Sequence, residues 1–411
     1  MNIRIIQIAL MFFIKYYIVG AIYTTMALVL GSHGMGSYIG VAYSVGGFAA
    51  LFASMLLGEL ADRFMVPNKL LFFCHLVSAL ALWEIPGQIL TGHAWAFLWL
   101  LAVYTTFGDA TLSLCTRIAF HALQDNVQYY SVTRAFGTAG FMCAGLVTGF
   151  SGLSSSVRTF EIGAVVSVGL AVYALTLPKT PAAGRRGPFS WRDLIGWDAF
   201  VLLRERNFLV FILIAVAIFF PMSAYNAYLP VYLKDNGITN VGGLMTLAQM
   251  TEIVMMFSLA FFIRWLGIRN ILAVACFCWF LILLAFAVGD RFLFALIVLG
   301  ILLHGAGWDF FYASSEVYIN SKAKEELKAR AQALLRAATF GLGTIFGSLA
   351  SGALYNSMQS LKPATPDHWP LFWGLICTVP LFLMVMVLAF FREGASAVRR
   401  PEKLLSVPLE A

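Results

Sequence analysis

Long apolar stretches, each near the length of a bilayer crossing, alternate with short polar joints along this chain. A crossing helix needs about 20 mostly apolar residues. Twelve such stretches can be placed, at about 5–30, 37–61, 69–91, 94–121, 131–152, 160–178, 208–233, 240–263, 269–288, 291–318, 328–354 and 368–391. The first starts close to Met1 and is followed by no small-residue cleavage site, so it is expected to be a retained helix. One joint is long and polar. It is punctuated by Pro178, Pro181 and Pro188, carries Lys179, Arg185, Arg186, Arg192, Arg204 and Arg206, and divides the spans into six plus six. The expected plan is an all-α polytopic membrane protein. A six-helix bundle spans 1–178, a linker 179–207, a second bundle 208–391 and a tail 392–411.

Composition agrees. Of 411 residues, 61% are hydrophobic and only 11% charged, against about 25% charged in soluble domains. Mean hydropathy is +0.84. The net charge of +7 does not point to nucleic acid, because the cations fall on one side of the predicted membrane. That side holds Arg4, Arg63, Lys69, the linker cations, Arg264, Arg269, Lys322, Lys324, Lys328, Arg330, Arg392, Arg399, Arg400 and Lys403. The other holds Arg158, Lys234, Arg291 and Lys362. The positive-inside rule then puts both termini and the linker in the cytoplasm, where these cations meet anionic lipid headgroups. The six cysteines all lie in apolar runs and read as packing residues, with no metal site or disulfide framework implied.

Ionisable residues inside a membrane are costly and mark functional sites by default. Asp309 stands in the tenth span amid His304, Gly305, Gly307, Trp308 and Tyr312, and is expected to line a cavity holding a small polar molecule. Helical spacing puts Asp309, Tyr312 and Glu316 on one face, with His304 and Trp308 on another. Arg134, Thr138 and Phe141, spaced by four and three, share a stripe of the fifth span. They suit a polar aromatic ligand or, equally, a cytoplasmic gate. Gln249 and Glu252 share a face of the eighth; they could bind hydroxyls or a base edge, or form a buried acid satisfied by a neighbouring helix. Asn226 of the seventh span could reach the cavity. Lys15 fits a cavity position or an interhelical pair, Glu84 a headgroup-level position, and Arg117 and Glu316 can snorkel. No Ser-His-Asp set or metal-spaced His/Cys cluster supports an intramembrane enzyme. The tail is too short to fold as a sensor domain.

Two local patterns carry a resemblance. Gly58-Glu59-Leu60-Ala61-Asp62-Arg63 resembles the cytoplasmic motif of the major facilitator superfamily, echoed weakly at 262–269. In that reading Gly58 lets helices approach, while Asp62 and Arg63 latch helix ends. Arg134–Phe141, Gln249–Glu252 and Gly305–Phe310 together resemble the bacterial nucleoside:proton symporters of that superfamily, as do Asp198–Arg204 and Phe261–Ile268. The resemblance implies twelve helices in two pseudo-symmetric halves and proton-driven nucleoside uptake across the inner membrane by a monomer. It implies no cofactor. A proton-coupled sugar or drug carrier is the alternative. It also implies a central site of Arg134, Thr138, Phe141, Asn226, Gln249, Glu252, His304, Trp308 and Asp309, with Glu252 or Asp309 carrying the proton. Val19, Ser223, Lys15 and Arg336 depart from the family pattern.

Overall fold

A computed structural model describes residues 3–63, 65–181, 197–289, 293–360 and 368–392. Every regular element among them is helical. The crossings are α1 (Ile3–Ser32), α3 (Pro67–Leu90), α4 (Ala94–Leu123), α6 (Arg158–Thr176), α7 (Arg206–Asp235), α10 (Phe294–Lys322), α11 (Arg330–Ser360) and α12 (Trp369–Phe390), together with α2 (Ile39–Arg63) and α5 (Tyr130–Phe150). The remaining two come from one element, Val241–Val288, broken at Gly267, where φ is 77° and ψ 163°. Only glycine takes that conformation without strain, so the joint expected at 264–268 contracts to one residue. The stretches 241–266 and 268–288 are α8 and α9.

Several crossings are interrupted, for local reasons. In α1 the hydroxyls of Thr24 and Thr25 donate back to the carbonyls of Gly20 and Ala21, each at 2.7 Å, a competition that bends helices. In α4 the helix stops at Phe107 and resumes at Leu112 across a 3-10 turn, Asp109–Thr111. α11 contains a π-helical segment, Ala337–Gly343. Irregular backbone at membrane depth is tolerated where protein buries it or a cavity lies beside it.

The packing repeats itself between halves. α1 packs on α5 and α3 on α6; correspondingly α7 packs on α11 and α9 meets α12, as at Phe286–Trp373. Between halves, α2 meets α11 and α5 meets α8, the same contact related by a pseudo-two-fold. The outward surface is strongly apolar: Phe257, Phe150 and Trp99 are 79%, 77% and 74% exposed. In lipid such side chains lose nothing, whereas in water they would aggregate.

One end of the molecule is shut. Lys234 of α7 donates to Ser32 Oγ at 2.7 Å and to Ser155 Oγ at 3.0 Å. Asn356 of α11 donates to the Ser37 carbonyl at 2.9 Å. Below them Gly40 of α2 faces Gly352 of α11 so closely that a Cβ on Gly40 would lie 2.6 Å from the Gly352 Cα. The latch reading of Gly58, Asp62 and Arg63 falls on side chains outside the described residues, although their backbone belongs to α2.

Candidate functional site

Between the two halves lies a cavity of about 570 Å³, within the 300–1,000 Å³ range of small-molecule sites. Arg134, Thr138 and Phe141 reach it from α5, Asn226 from α7, Gln249 and Glu252 from α8, and His304 and Trp308 from α10. Their spacings of three and four residues keep each set on one side of its helix, so each helix contributes a short stripe.

Among the described residues Arg134 pairs with no acid. Its guanidinium lies 4.3 Å from the centre of the Tyr16 ring and donates to the Tyr16 hydroxyl. The Phe12 ring lies 5.7 Å away. These rings of α1 hold the cation at the cavity edge. Glu252 instead lies beside His304, with Oε1 3.1 Å from Nδ1. That distance is within ion-pair range, yet Nδ1 has no hydrogen-bond partner, so the two are close without being aligned. The Glu252 side chain is 25% exposed, which leaves its carboxylate accessible from the cavity.

Aromatic rings form one wall. His304 stacks on Tyr225 with centroids 4.6 Å apart and planes at 26°. Trp308 follows at 6.0 Å and 14°, and Tyr312 lies 6.1 Å beyond it at 29°. All four rings of this ladder line the cavity.

This ladder corrects the expected faces of α10. His304, Trp308 and Tyr312, four residues apart, turn together toward the cavity. Asp309, about 100° further round the helix than Trp308, is not among the lining residues. It is half-buried, and its Oδ2 is buried without a hydrogen-bond partner. Helical periodicity allowed either face; the packing of α10 against α8, where Gly305 N–H meets Thr251 Oγ1 at 3.2 Å, selects the other one.

Lys15 resolves to interhelical pairing. Its side chain is 2% exposed and lies 3.7 Å from Asp109 Oδ1 in α4. Arg336 is held by Glu316, 3.4 Å away, between α11 and α10, beside a separate recess of about 410 Å³ that includes Asn320 and Gln332. Glu84 is exposed. The cavity also takes Tyr16, Tyr23, Tyr43, Phe219 and Phe340, none of which stands out in sequence. An aromatic residue in an apolar helix carries no mark that separates cavity wall from core. Among the described residues no group of His, Cys, Asp and Glu could hold a metal ion, and the six cysteines are free.

Comparison with known proteins decides the family. The model of the Nucleoside H+ symporter family matches residues 1–396. The chain belongs to that family. The nucleoside permease NupG of Escherichia coli is 28% identical over 415 residues, covering 95% of this chain and 96% of the permease. A xanthosine permease of the same organism is 27% identical over 418 residues, covering 97% of each. The crystal structure of nucleoside transporter NupG superposes with a TM-score of 0.86 at 25% identity, over 96% of this chain and 100% of that one. A peptide transporter, POT, crystallised with sulfate, superposes at 0.71 with 14% identity, which shows the shared fold alone. This nucleoside:proton symporter family member has the major facilitator architecture. It is a multi-pass membrane transporter, not an enzyme.

Proposed function

We propose that this symporter imports nucleosides with protons across the bacterial inner membrane, by alternating access around the central cavity. The observation that carries the reading is the composition of that cavity. Gln249 and Glu252 lie on α8, Asn226 on α7, Thr138 and Arg134 on α5, and a stacked wall of His304 and Trp308 on α10. A nucleoside is a planar base joined to a polyol. Trp308 or Phe141 takes the base by stacking, and the amides, hydroxyl and carboxylate take the sugar and the base edge. Glu252 or Asp309 carries the coupling proton. Glu252 reaches the cavity, so proton and substrate share it directly. Asp309 lies behind the wall, where a proton on its unpartnered oxygen removes a buried charge.

The halves 1–178 and 208–391 move about the cavity as units, joined by 179–207. Both termini and that linker face the cytoplasm, as the one-sided distribution of Lys and Arg supports. The chain works as a monomer with its basic surface on anionic lipid.

Counterflow tests the assignment. Proteoliposomes loaded with unlabelled uridine are expected to take up external labelled uridine without any gradient, and Gln249→Ala or Trp308→Ala to slow it. Folded protein that exchanges a sugar and no nucleoside would count against the reading.

A further inference from the structure

Behind the cavity wall is a buried polar cluster that the site described above does not use. Where α4 breaks, the Gly108 carbonyl is freed from regular helix. It accepts from Lys15 Nζ at 2.9 Å and from Thr111 Oγ1 at 2.5 Å. Next to it, Asp109 Oδ1 lies 3.7 Å from Lys15 Nζ. The other carboxylate oxygen, Oδ2, accepts from the Tyr23 hydroxyl at 2.7 Å. Tyr23 itself lines the cavity, as does Gly46 of α2. A Cβ on Gly46 would stand 2.9 Å from the Tyr23 hydroxyl oxygen, so the missing side chain is what leaves room at that atom. The ring is fixed by Tyr43, edge-on at 6.0 Å, whose own hydroxyl donates to the Tyr23 carbonyl at 2.7 Å.

The chemistry of this chain of contacts has one direction. A tyrosine hydroxyl normally serves as donor or acceptor. A carboxylate balanced by an ammonium only accepts. The single hydroxyl hydrogen of Tyr23 is therefore spent on Asp109, and what Tyr23 offers the cavity is an acceptor. We infer that Tyr23 is a specificity-determining residue that accepts a hydrogen bond from a hydroxyl or N–H of the substrate, and that Lys15 and Asp109 are positioning residues that fix its polarity. The inference rests on the nucleoside reading, which supplies such donors on ribose and on the base. It also gives a role to Lys15, a departure from the family pattern, because its ammonium stands beside the carboxylate that takes the Tyr23 hydroxyl hydrogen.

The test is proteoliposome uptake of uridine, its 2′-, 3′- and 5′-deoxy analogues and N3-methyluridine, by the wild-type chain, Tyr23→Phe and the double variant Lys15→Met/Asp109→Asn. In the wild type one analogue lacks the donor that meets Tyr23, and its KM is expected to be about 3- to 10-fold above that of uridine, the equivalent of one neutral hydrogen bond. Tyr23→Phe raises the KM of uridine by that factor, leaves kcat in place and removes the discrimination against that one analogue. The double variant, in which an amide can donate or accept, retains uptake and loses most of the same discrimination. A Tyr23→Phe effect that is equal for uridine and all four analogues overturns the acceptor role. A double variant that keeps full wild-type discrimination overturns the role of the pair. Wild-type protein that transports no nucleoside is a different result, and it refutes the functional reading on which the inference rests.

Discussion

The contact between α2 and α11 at the shut end makes a sharp prediction. In Gly40→Ala the added methyl would stand 2.6 Å from both the Gly352 Cα and the Ser348 carbonyl oxygen, and ordinary contact begins at 3.4 Å. Neither neighbour is a side chain that can turn away. The two helices must part by about 0.8 Å, and overpacking of that kind costs about 1–3 kcal/mol. The cost falls only on conformations in which this end is shut, because α2 and α11 belong to different halves. The open form therefore gains by roughly 5- to 150-fold relative to the shut one. Ser348, 1% exposed, reports the change. In Ser348→Cys, a membrane-impermeant maleimide applied from the face carrying Ser37 should label slowly. Adding Gly40→Ala should speed labelling by a factor within that range, and Gly352→Ala should act in the same direction, since its methyl would lie 2.9 Å from the Gly40 Cα. Unchanged labelling in both glycine variants would refute the view that this crossing is a tight gate between moving halves.

Three further outcomes follow from the geometry. Lys15→Met removes the cation beside Asp109, whose side chain is 22% exposed and keeps its bond from Tyr23, and should destabilise the protein by about 1–3 kcal/mol; thermal unfolding in detergent should show most of this recovered in Lys15→Met/Asp109→Asn. Glu252→Gln keeps the shape of the cavity and removes an exchangeable proton, so gradient-driven accumulation should vanish while counterflow persists; retained uphill uptake would exclude Glu252 as the carrier and leave Asp309. Trp308→Ala removes a stacking face worth about 1–3 kcal/mol per base, so the KM for nucleosides should rise roughly 5- to 150-fold, with Trp308→Phe milder in a substrate titration.

Much of this arrangement was legible in the chain because the signals are local. Apolar length marks most crossings. The spacings of Arg134, Thr138 and Phe141, and of Gln249 and Glu252, confine each set to one stripe whatever surrounds it. What could not be read depends on neighbours. Asp309 and Trp308 are adjacent in sequence, and only the docking of α10 on α8 and α9 decides which of them meets the cavity. Lys15 and Asp109 are far apart in the chain, and their pairing needs the break in α4, which neither the apolar run 94–121 nor Gly108 alone discloses. Tyr16 and Tyr23 sit in a helix so uniformly apolar that no face of α1 stands out. The one-residue break at Gly267 was blurred by the charges on both sides of it, which suggested a longer joint.

Coupling of nucleoside movement to protons is what makes this transporter a symporter. The most direct measurement is uptake of labelled uridine and adenosine into proteoliposomes with and without an inward proton gradient. Accumulation above the external concentration of at least one of them is expected only when the gradient is present, with collapse on adding a protonophore. Equal uptake with and without the gradient, in protein that performs counterflow, would contradict proton coupling.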